Sequence, residues 1–475
     1  DPGSPADAPE VIEIDRDDVA PAVALSADGT RMLVASRTLP VSAYAAYAPC
    51  PRLVRRDARL QEDRLQLPVT AAEADVMDAV RYNDVVLLCG LLLGATLLGG
   101  CASENSTAAP VPAGPAESAV GLVPADEELS AASLEPSVTI PALEQPAADL
   151  PALEPGGQPP QFVAVSFDGG VEMRSGVMAR YLDLAEQVKG RFSFYVSGTY
   201  LLPETRNNAY RPPGKQRGTS DIGFADPTMV GTRLDSLTRA WNLGMEIGSH
   251  FNGHFCGASG VNTWSAADWV SEIDQWNDFL DNWRLYNPDL RDHPPLPFSS
   301  EVAKGGRTPC LEGDPQAIRS AYKQVGYRYD ASQVGDLQWP TRSGGLWQIP
   351  LQRIKVPGQS TLIASMDFNF LVNQNGGETE AAPEVCQQIE TETYEAYRAA
   401  LEAVSSSNRA PLILGNHMND WVCGAYTNAL TRFIQDTARD HPEVRFISMI
   451  DLVNWMEAQD PALMQPWLDK PTAVQ

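Results

Sequence analysis

Short apolar runs that end in polar residues recur from residue 161 onward, with helical patterns between them. The first run is Gln161–Asp168, and later ones cover residues 192–197, 245–249, 411–417 and 444–450. This alternation of strand and helix predicts an α/β fold built on parallel strands, and we expect a distorted (β/α) barrel, complete or incomplete. In such a barrel the loops after the carboxyl ends of the strands carry the chemistry.

The large side chains of a core are confined to the same region. All ten Trp lie between Trp241 and Trp467, and the first Phe is Phe162. We therefore assign one globular domain to residues 161–458, followed by a C-terminal tail over residues 459–475. One helical pattern carries four Trp at spacings of mostly seven, namely Trp264, Trp269, Trp276 and Trp283. That spacing favours packing in the core over stacking on sugars.

An almost uncharged apolar run over residues 85–100 is too short for a comfortable membrane span of about 20 residues. It matches the core of a signal peptide, and the small residues from Leu98 to Cys101 resemble the lipobox of bacterial lipoproteins. We predict a signal peptide over residues 77–101 and a lipid on Cys101, which would anchor an exported protein to the bacterial cell envelope. A short uncleaved anchor is the alternative.

Two further stretches precede the domain. Residues 1–76 show no sustained helical or strand period, and we expect them to be disordered or absent from the mature protein. Residues 102–160 are rich in Pro and Ala and contain no aromatic residue, which predicts an extended tether.

The formal net charge of −26 argues against nucleic acid and anionic lipid headgroups as partners, because both bind through basic patches.

Three ionisable side chains lie just beyond the predicted strands. Asp168 ends the first run, and His250 and His254 follow the run over residues 245–249. Two imidazoles four residues apart can hold a metal, and catalytic zinc takes three protein ligands with one position left open. Phe251 stands where the helical zinc-protease motif needs Glu, which argues against that class. Plain hydrogen bonding of both His to the backbone is the alternative.

The order of these motifs resembles the polysaccharide deacetylases, metal-dependent esterases that remove acetyl groups from chitin-like, peptidoglycan, exopolysaccharide or xylan chains. The family motif Thr-Phe-Asp-Asp-Gly is similar to residues 166–170, and the motif His-Ser/Thr-x-x-His is similar to residues 250–254. The motif Arg-x-Pro-Tyr is similar to residues 307–310, and the strand ending Leu-x-His is similar to residues 414–417. The resemblance covers residues 161–458.

The resemblance implies roles for the matching residues. His250 and His254 would bind a divalent metal, for which we expect zinc, with cobalt and manganese as alternatives. Asp168 would be the base that deprotonates the attacking water. His417 would protonate the leaving amine.

Three further residues would support this chemistry. Arg307 would orient Asp168, and the backbone N–H of Cys310 would stabilise the oxyanion. Asp330 would orient His417. The partner implied is an acetylated polysaccharide.

Gly169 stands where the family has its second Asp, the third metal ligand. Either Asp168 binds the metal and another group is the base, or a second carboxylate arrives from elsewhere, with Asp367 or Glu172 as candidates. A third possibility is a carbohydrate-binding envelope lipoprotein without catalysis. An O-acetyl xylan esterase would share every site residue with an N-deacetylase.

Export would permit disulfides, and the domain contains four Cys. We predict a bridge between Cys256 and Cys310, because both lie two or three residues beyond motifs expected to converge on one pocket. Cys386 and Cys423 would form the second bridge.

Overall fold

The chain divides into two units, residues 1–134 and residues 135–475. The computed structural model of the protein describes residues 22–25, 32–35, 145 and 147–475. In the first unit, strand β1 (Ala22–Leu25) pairs antiparallel with strand β2 (Met32–Ala35), a pairing that the sequence analysis did not predict. The predicted signal peptide with Cys101 and most of the predicted tether lie outside the described residues.

The second unit is built on a curled sheet of mostly parallel strands, with a smaller sheet beside it. The strands of the unit are β3 (Gln161–Asp168), β4 (Ser193–Val196), β5 (Glu246–Ser249), β6 (Gly305–Gly306), β7 (Tyr329–Asp330), β8 (Val334–Gly335), β9 (Thr341–Ser343), β10 (Leu346–Gln348), β11 (Leu351–Lys355), β12 (Leu362–Ala364), β13 (Leu412–His417) and β14 (Val444–Ile447). Eight of them follow the order β13-β3-β4-β5-β6-β7-β10-β9, and β14 pairs with the first half of β3. Strands β8, β11 and β12 form a smaller sheet.

No pairing among the described strands joins β13 to β9, so the large sheet is an incomplete barrel. This confirms the predicted fold class. Strand β3 is buried along its whole length, as expected for a central parallel strand covered on both faces.

Ten α-helices accompany the strands in the described part of the second unit. They are α1 (Val177–Val188), α2 (Pro227–Asn242), α3 (Ala266–Asp281), α4 (Trp283–Tyr286), α5 (Pro315–Val325), α6 (Asp367–Asn375), α7 (Pro383–Ser405), α8 (Trp421–Asp440), α9 (Met449–Ala458) and α10 (Pro461–Leu468). Helix α2 begins where Asp226 accepts a hydrogen bond from the Thr228 N–H and Pro227 opens the first turn. Among the described residues no helix has the length and apolar character needed to cross a membrane.

The four regularly spaced Trp lie in the core, as predicted. Trp269, Trp276 and Trp283 are buried, and Trp264 packs edge-on against Trp269. The indole N–H of Trp276 donates to the carbonyl of Val196 at 2.7 Å, which ties helix α3 to the end of strand β4. These indoles therefore support the sheet and are not available to sugars.

Both ends of the described domain extend beyond residues 161–458. Leu153 is buried, and its N–H donates to the side chain of Gln459 at 2.7 Å. The indole of Trp455 donates to the carbonyl of Pro151 at 2.8 Å. Past residue 458, the C-terminal residues form helix α10, and Ala473 N–H donates to the carbonyl of Leu337 at 2.9 Å.

Candidate active site

The strand register brings the predicted site residues to one end of the sheet. In the parallel pair β13 and β3, His417 lies directly opposite Asp168. Further along the sheet, Ser249 of strand β5 is opposite Gly306 of strand β6, so His250 and Arg307 follow from neighbouring strand ends. Adjacent strands lie about 4.8 Å apart, so residues far apart in sequence become neighbours in space.

Asp168 and Arg307 form a buried ion pair at this rim. Arg307 Nη1 donates to Asp168 Oδ1 at 2.7 Å, with the guanidinium fully buried and the carboxylate 5% exposed. Burial raises the pKa of Asp168, but the charge of Arg307, with its hydrogen bond and the neighbouring imidazoles, outweighs burial and holds that pKa below its usual value. The carboxylate is therefore ionised at neutral pH and can accept a proton.

Arg307 is fixed by more than its ion pair. Its Nε donates to the carbonyl of Ala331 at 3.0 Å, and its guanidinium lies 4.9 Å from the ring centroid of Tyr195. These contacts agree with the predicted orienting role, because the guanidinium fork has one orientation that satisfies them all. Tyr195 was missed by sequence reasoning, although its strand position, directly opposite Asp168, placed it there.

His250 and His254, the two predicted metal ligands, are close together. Their ring centroids are 5.1 Å apart. His250 Nδ1 lies 2.8 Å from the carbonyl oxygen of Arg307, which can only accept, so Nδ1 carries the proton and Nε2 keeps its lone pair. Burial lowers the pKa of His250, and burial is also the main cause that lowers the pKa of His254 to about 3. Two neutral imidazoles are what a divalent metal requires.

His417 is held by Asp367. Its Nδ1 lies 2.6 Å from Asp367 Oδ1, and its backbone N–H donates to Asp367 Oδ2 at 2.7 Å. Burial lowers the pKa of His417, but the Asp367 carboxylate outweighs burial and raises it above its ordinary value. A protonated imidazole that faces the rim can donate a proton.

The prediction that Asp330 orients His417 is wrong. Asp330 ends strand β7, five strands from His417 in the sheet order, and its Oδ1 accepts from the Ser332 N–H at 2.9 Å. Asp367 reaches His417 because Met366 forms a parallel bridge with Gly415, beside the end of strand β13. Asn419, which was also missed, donates to Asp367 Oδ2 at 2.9 Å and completes the support of that carboxylate.

The two carboxylates suggested as a replacement for the missing ligand both accept hydrogen bonds. Asp367 is engaged by His417 and Asn419 and by the Phe368 N–H. Glu172 accepts from the backbone N–H groups of Met178 and Ala179 and so caps the start of helix α1. The extra metal ligand expected from Asp367 or Glu172 stays a prediction.

Gly169 has a backbone φ of +62°, in the left-handed region that glycine adopts most easily. A Cβ atom at this position would lie 3.3 Å from Tyr200 Cε2, so the Tyr200 ring borders the place from which a second carboxylate would extend. Within the described residues, the two His of this site thus lack a third ligand supplied from Gly169.

The two predicted disulfides are both present. Cys256 and Cys310 are bridged with their Cα atoms 6.0 Å apart, and Cys386 and Cys423 with theirs 5.9 Å apart. The first bridge joins the turn after His254 to the turn Pro309–Leu311 after strand β6. It therefore places the backbone of Cys310, the predicted oxyanion donor, beside the His254 loop.

No protein-family model matches the chain, and no curated protein matches it either. Solved structures that it is similar to include a protein of Mycobacterium smegmatis provisionally assigned as a polysaccharide deacetylase (14% identity, TM-score 0.39, 69% of this chain and 98% of that one). Others are the chitin deacetylase of Colletotrichum lindemuthianum (17%, 0.33, 59% and 82%) and a family 4 acetyl xylan esterase of Clostridium thermocellum in complex with cobalt (16%, 0.33, 64% and 96%).

These structures represent the class of enzyme whose motifs the sequence resembles. With identities below 25% and TM-scores below 0.5, the likeness adds nothing to what the strands and side chains of this chain establish. The functional proposal therefore rests on the site residues themselves.

Proposed function

We propose that the protein is a metal-dependent hydrolase that removes acetyl groups from a polysaccharide, with the N-acetyl groups of a cell-surface or extracellular glycan as the preferred substrate. One observation carries this proposal. An ionised carboxylate (Asp168), two neutral imidazoles (His250 and His254) and an imidazole held by a carboxylate (His417 with Asp367) lie at the same end of one parallel sheet.

The chemistry follows from these charge states. A divalent metal held by His250 and His254, with zinc as the expected ion, would supply Lewis-acid activation of water and of the acetyl carbonyl. Asp168 accepts the proton of the attacking water. Arg307 keeps that carboxylate ionised and fixes its orientation through a hydrogen bond. His417 donates its proton to the departing amine. The Asp367 carboxylate raises the pKa of His417 and so keeps that imidazole protonated until it donates.

Acetate release after metal removal tests the proposal. The protein is treated with a chelator, reloaded with zinc, cobalt or manganese, and assayed on N-acetylated chitin-like and peptidoglycan chains and on O-acetylated xylan. We expect no release from the stripped protein and recovery on reloading, whereas the His250→Ala variant should not recover. The matched control is Asp274→Asn, an exposed position on helix α3, which should behave as wild type.

Each outcome selects one reading. Release from xylan alone would replace the N-deacetylase by an O-acetyl esterase on the same residues. Binding of a glycan with no acetate released under any metal would favour the non-catalytic carbohydrate-binding protein and contradict the proposal.

We also propose that the protein is exported and anchored by a lipid on Cys101, on the support of the apolar run that ends there. The Cys101→Ala variant should lose the lipid mass and leave the membrane fraction. An unchanged mass shift and an unchanged distribution would contradict the anchor.

A further inference from the structure

A second set of metal-binding donors lies beside the proposed catalytic residues. His254, Cys256 and Cys310 each offer one ligand atom, and these three atoms lie within 4.8 Å of one another. In the part of the chain that the structure describes, no other group of three His, Cys, Asp or Glu meets that spacing. We propose that this triad is a thiol-dependent metal site, closed when Cys256 and Cys310 are bridged and formed when a dithiol reduces them.

The spacing suits a soft divalent metal such as zinc. Cys256 Sγ lies 3.7 Å from His254 Nδ1. Zn–S bonds of about 2.3 Å and Zn–N bonds of about 2.0–2.1 Å at tetrahedral angles require an S···N separation of about 3.6 Å. The imidazole and the first sulfur therefore already stand at the distance that joint coordination needs, and only the sulfur of Cys310 has to move away from its bridge partner.

The chemistry of the donor atoms also suits a metal. The ring of His254 offers a nitrogen, and Cys256 and Cys310 each offer a sulfur. The carboxylate of Glu312, two residues after Cys310, is engaged by the Gly257 N–H and by the Asn262 side chain. Two thiolates and one neutral imidazole would thus form the donor set, which favours zinc over magnesium or calcium.

All three residues are only half-buried, so a small dithiol can reach the bridge. The dithiol attacks one sulfur of the bridge, a mixed disulfide forms, and its resolution releases both cysteines as thiols while the reductant becomes a disulfide. Metal binding then displaces one proton from each thiol. Two electrons pass from the dithiol to the cystine, and no other reactant is needed.

The proposed site uses the Nδ1 face of His254, where Cys256 lies, and it does not depend on the deacetylase proposal. The turns that carry the donors are tightly shaped, since His254 and Cys310 both have positive φ values of 56° and 57°. The bridge in its oxidised form therefore holds the turn after His254 against the turn after strand β6, whereas the reduced form would hold them through the metal.

Cobalt substitution tests the inference, because thiolate ligands give cobalt an intense near-ultraviolet charge-transfer absorption that nitrogen and oxygen ligands do not. The metal-free full chain is titrated with cobalt in two forms. One form keeps the bridge, and the other has been reduced by a dithiol that is removed before the titration. We expect the absorption only in the reduced protein. It should persist in the control Cys386→Ser/Cys423→Ser, which lacks the other bridge, and disappear in Cys256→Ser/Cys310→Ser.

Replacing His254 by Ala should retain thiolate absorption but weaken cobalt binding at least tenfold in competition with a chelating dye. No thiolate absorption in the reduced wild type, or an equal absorption in the reduced Cys256→Ser/Cys310→Ser variant, would overturn the proposal. Circular dichroism of each variant confirms that it is folded. Acetate release by the oxidised protein is measured separately, so failure of the deacetylase proposal and failure of this one are distinguishable.

Discussion

At the scale of single residues, the site depends on charges that are held in place by other charges. Asp168 and Arg307 are both buried, and each would be costly to bury alone. The same holds for Asp367, whose carboxylate is 1% exposed and is satisfied by His417 and Asn419. Substitutions at the supporting partners should therefore change the protonation of the catalytic groups, and that change has a predictable sign.

Replacing Arg307 by Ala removes the nearest positive charge from Asp168 and leaves burial unopposed, so the pKa of Asp168 should rise. Because the base must be ionised, the acid limb of the pH profile of kcat/KM should move to higher pH. We expect a loss of about 3–5 kcal/mol of stability from the unpaired buried carboxylate. Arg307→Lys, which keeps the charge, is the control and should shift the limb less. An unmoved acid limb in Arg307→Ala would contradict the role of Arg307.

Replacing Asp367 by Asn removes the charge that raises the pKa of His417, and burial then lowers that pKa. The acid form is lost at lower pH, so the alkaline limb of the kcat profile should move to lower pH. At neutral pH we expect kcat to fall about 10²-fold, because the imidazole also loses its fixed orientation. Asp330→Asn, which changes a carboxylate five strands away, should leave the alkaline limb in place. A shift in both variants would return Asp330 to the site.

The residues of the site were only partly predictable from the sequence. Asp168 and His417 could be found because each ends an apolar run, and strand ends meet at one rim. Arg307 could be found only through the motif over residues 307–310. The partner of His417 could not be found in this way. Two further runs end in Asp, at Asp330 and at Asp367, and only the strand order shows which of the two lies beside His417. Sequence spacing carries no information about strand order.

At the scale of elements, the barrel contains a buried acidic network beneath the site. Glu246 of strand β5 accepts from the hydroxyls of Ser193 and Tyr329 at 2.6 and 2.7 Å and from the Ile450 N–H at 3.0 Å. It therefore joins strands β4, β5 and β7 to the start of helix α9. Burial raises the pKa of Glu246 to about 7.

This raised pKa makes stability depend on pH. A group whose folded pKa exceeds its unfolded value of about 4.3 stabilises the fold fully below that value and loses the contribution as pH rises toward 7. Glu246→Gln should therefore flatten the fall in the free energy of unfolding between pH 5 and pH 7, by up to about 1.4 kcal/mol per pH unit. Urea unfolding at several pH values measures it, with the exposed Glu301→Gln as control. Parallel profiles for wild type and Glu246→Gln would contradict a raised pKa.

Element boundaries were less predictable than the element types. Helix α2 begins at Pro227, directly after a long polar stretch, and its apolar period does not mark that start. The signal was the pair Asp226-Pro227, a capping residue followed by a proline that is preorganised for the first helical turn. The hydrophobic period alone could not show it, because Pro227 and Thr228 are exposed.

At the scale of the whole molecule, the fold makes one site out of residues up to 249 positions apart, from Asp168 to His417. The α/β class and the parallel sheet were predictable, because alternating strand and helix patterns leave few other arrangements. The extent of the domain was not. Residues near Leu153 have a composition typical of an extended tether, and only their contacts with Gln459 and Trp455 show that they belong to the folded part.

The central claim is that Asp168 is the base of a metal-dependent deacetylase, and one measurement tests it most directly. Bound zinc and acetate release are determined on the same preparation of Asp168→Asn. We predict that zinc remains bound at the wild-type stoichiometry while acetate release falls by about 10³-fold or more, because the amide cannot accept the proton of the attacking water. Retention of wild-type acetate release would contradict the claim outright. Loss of zinc together with activity would contradict it differently, by making Asp168 a metal ligand.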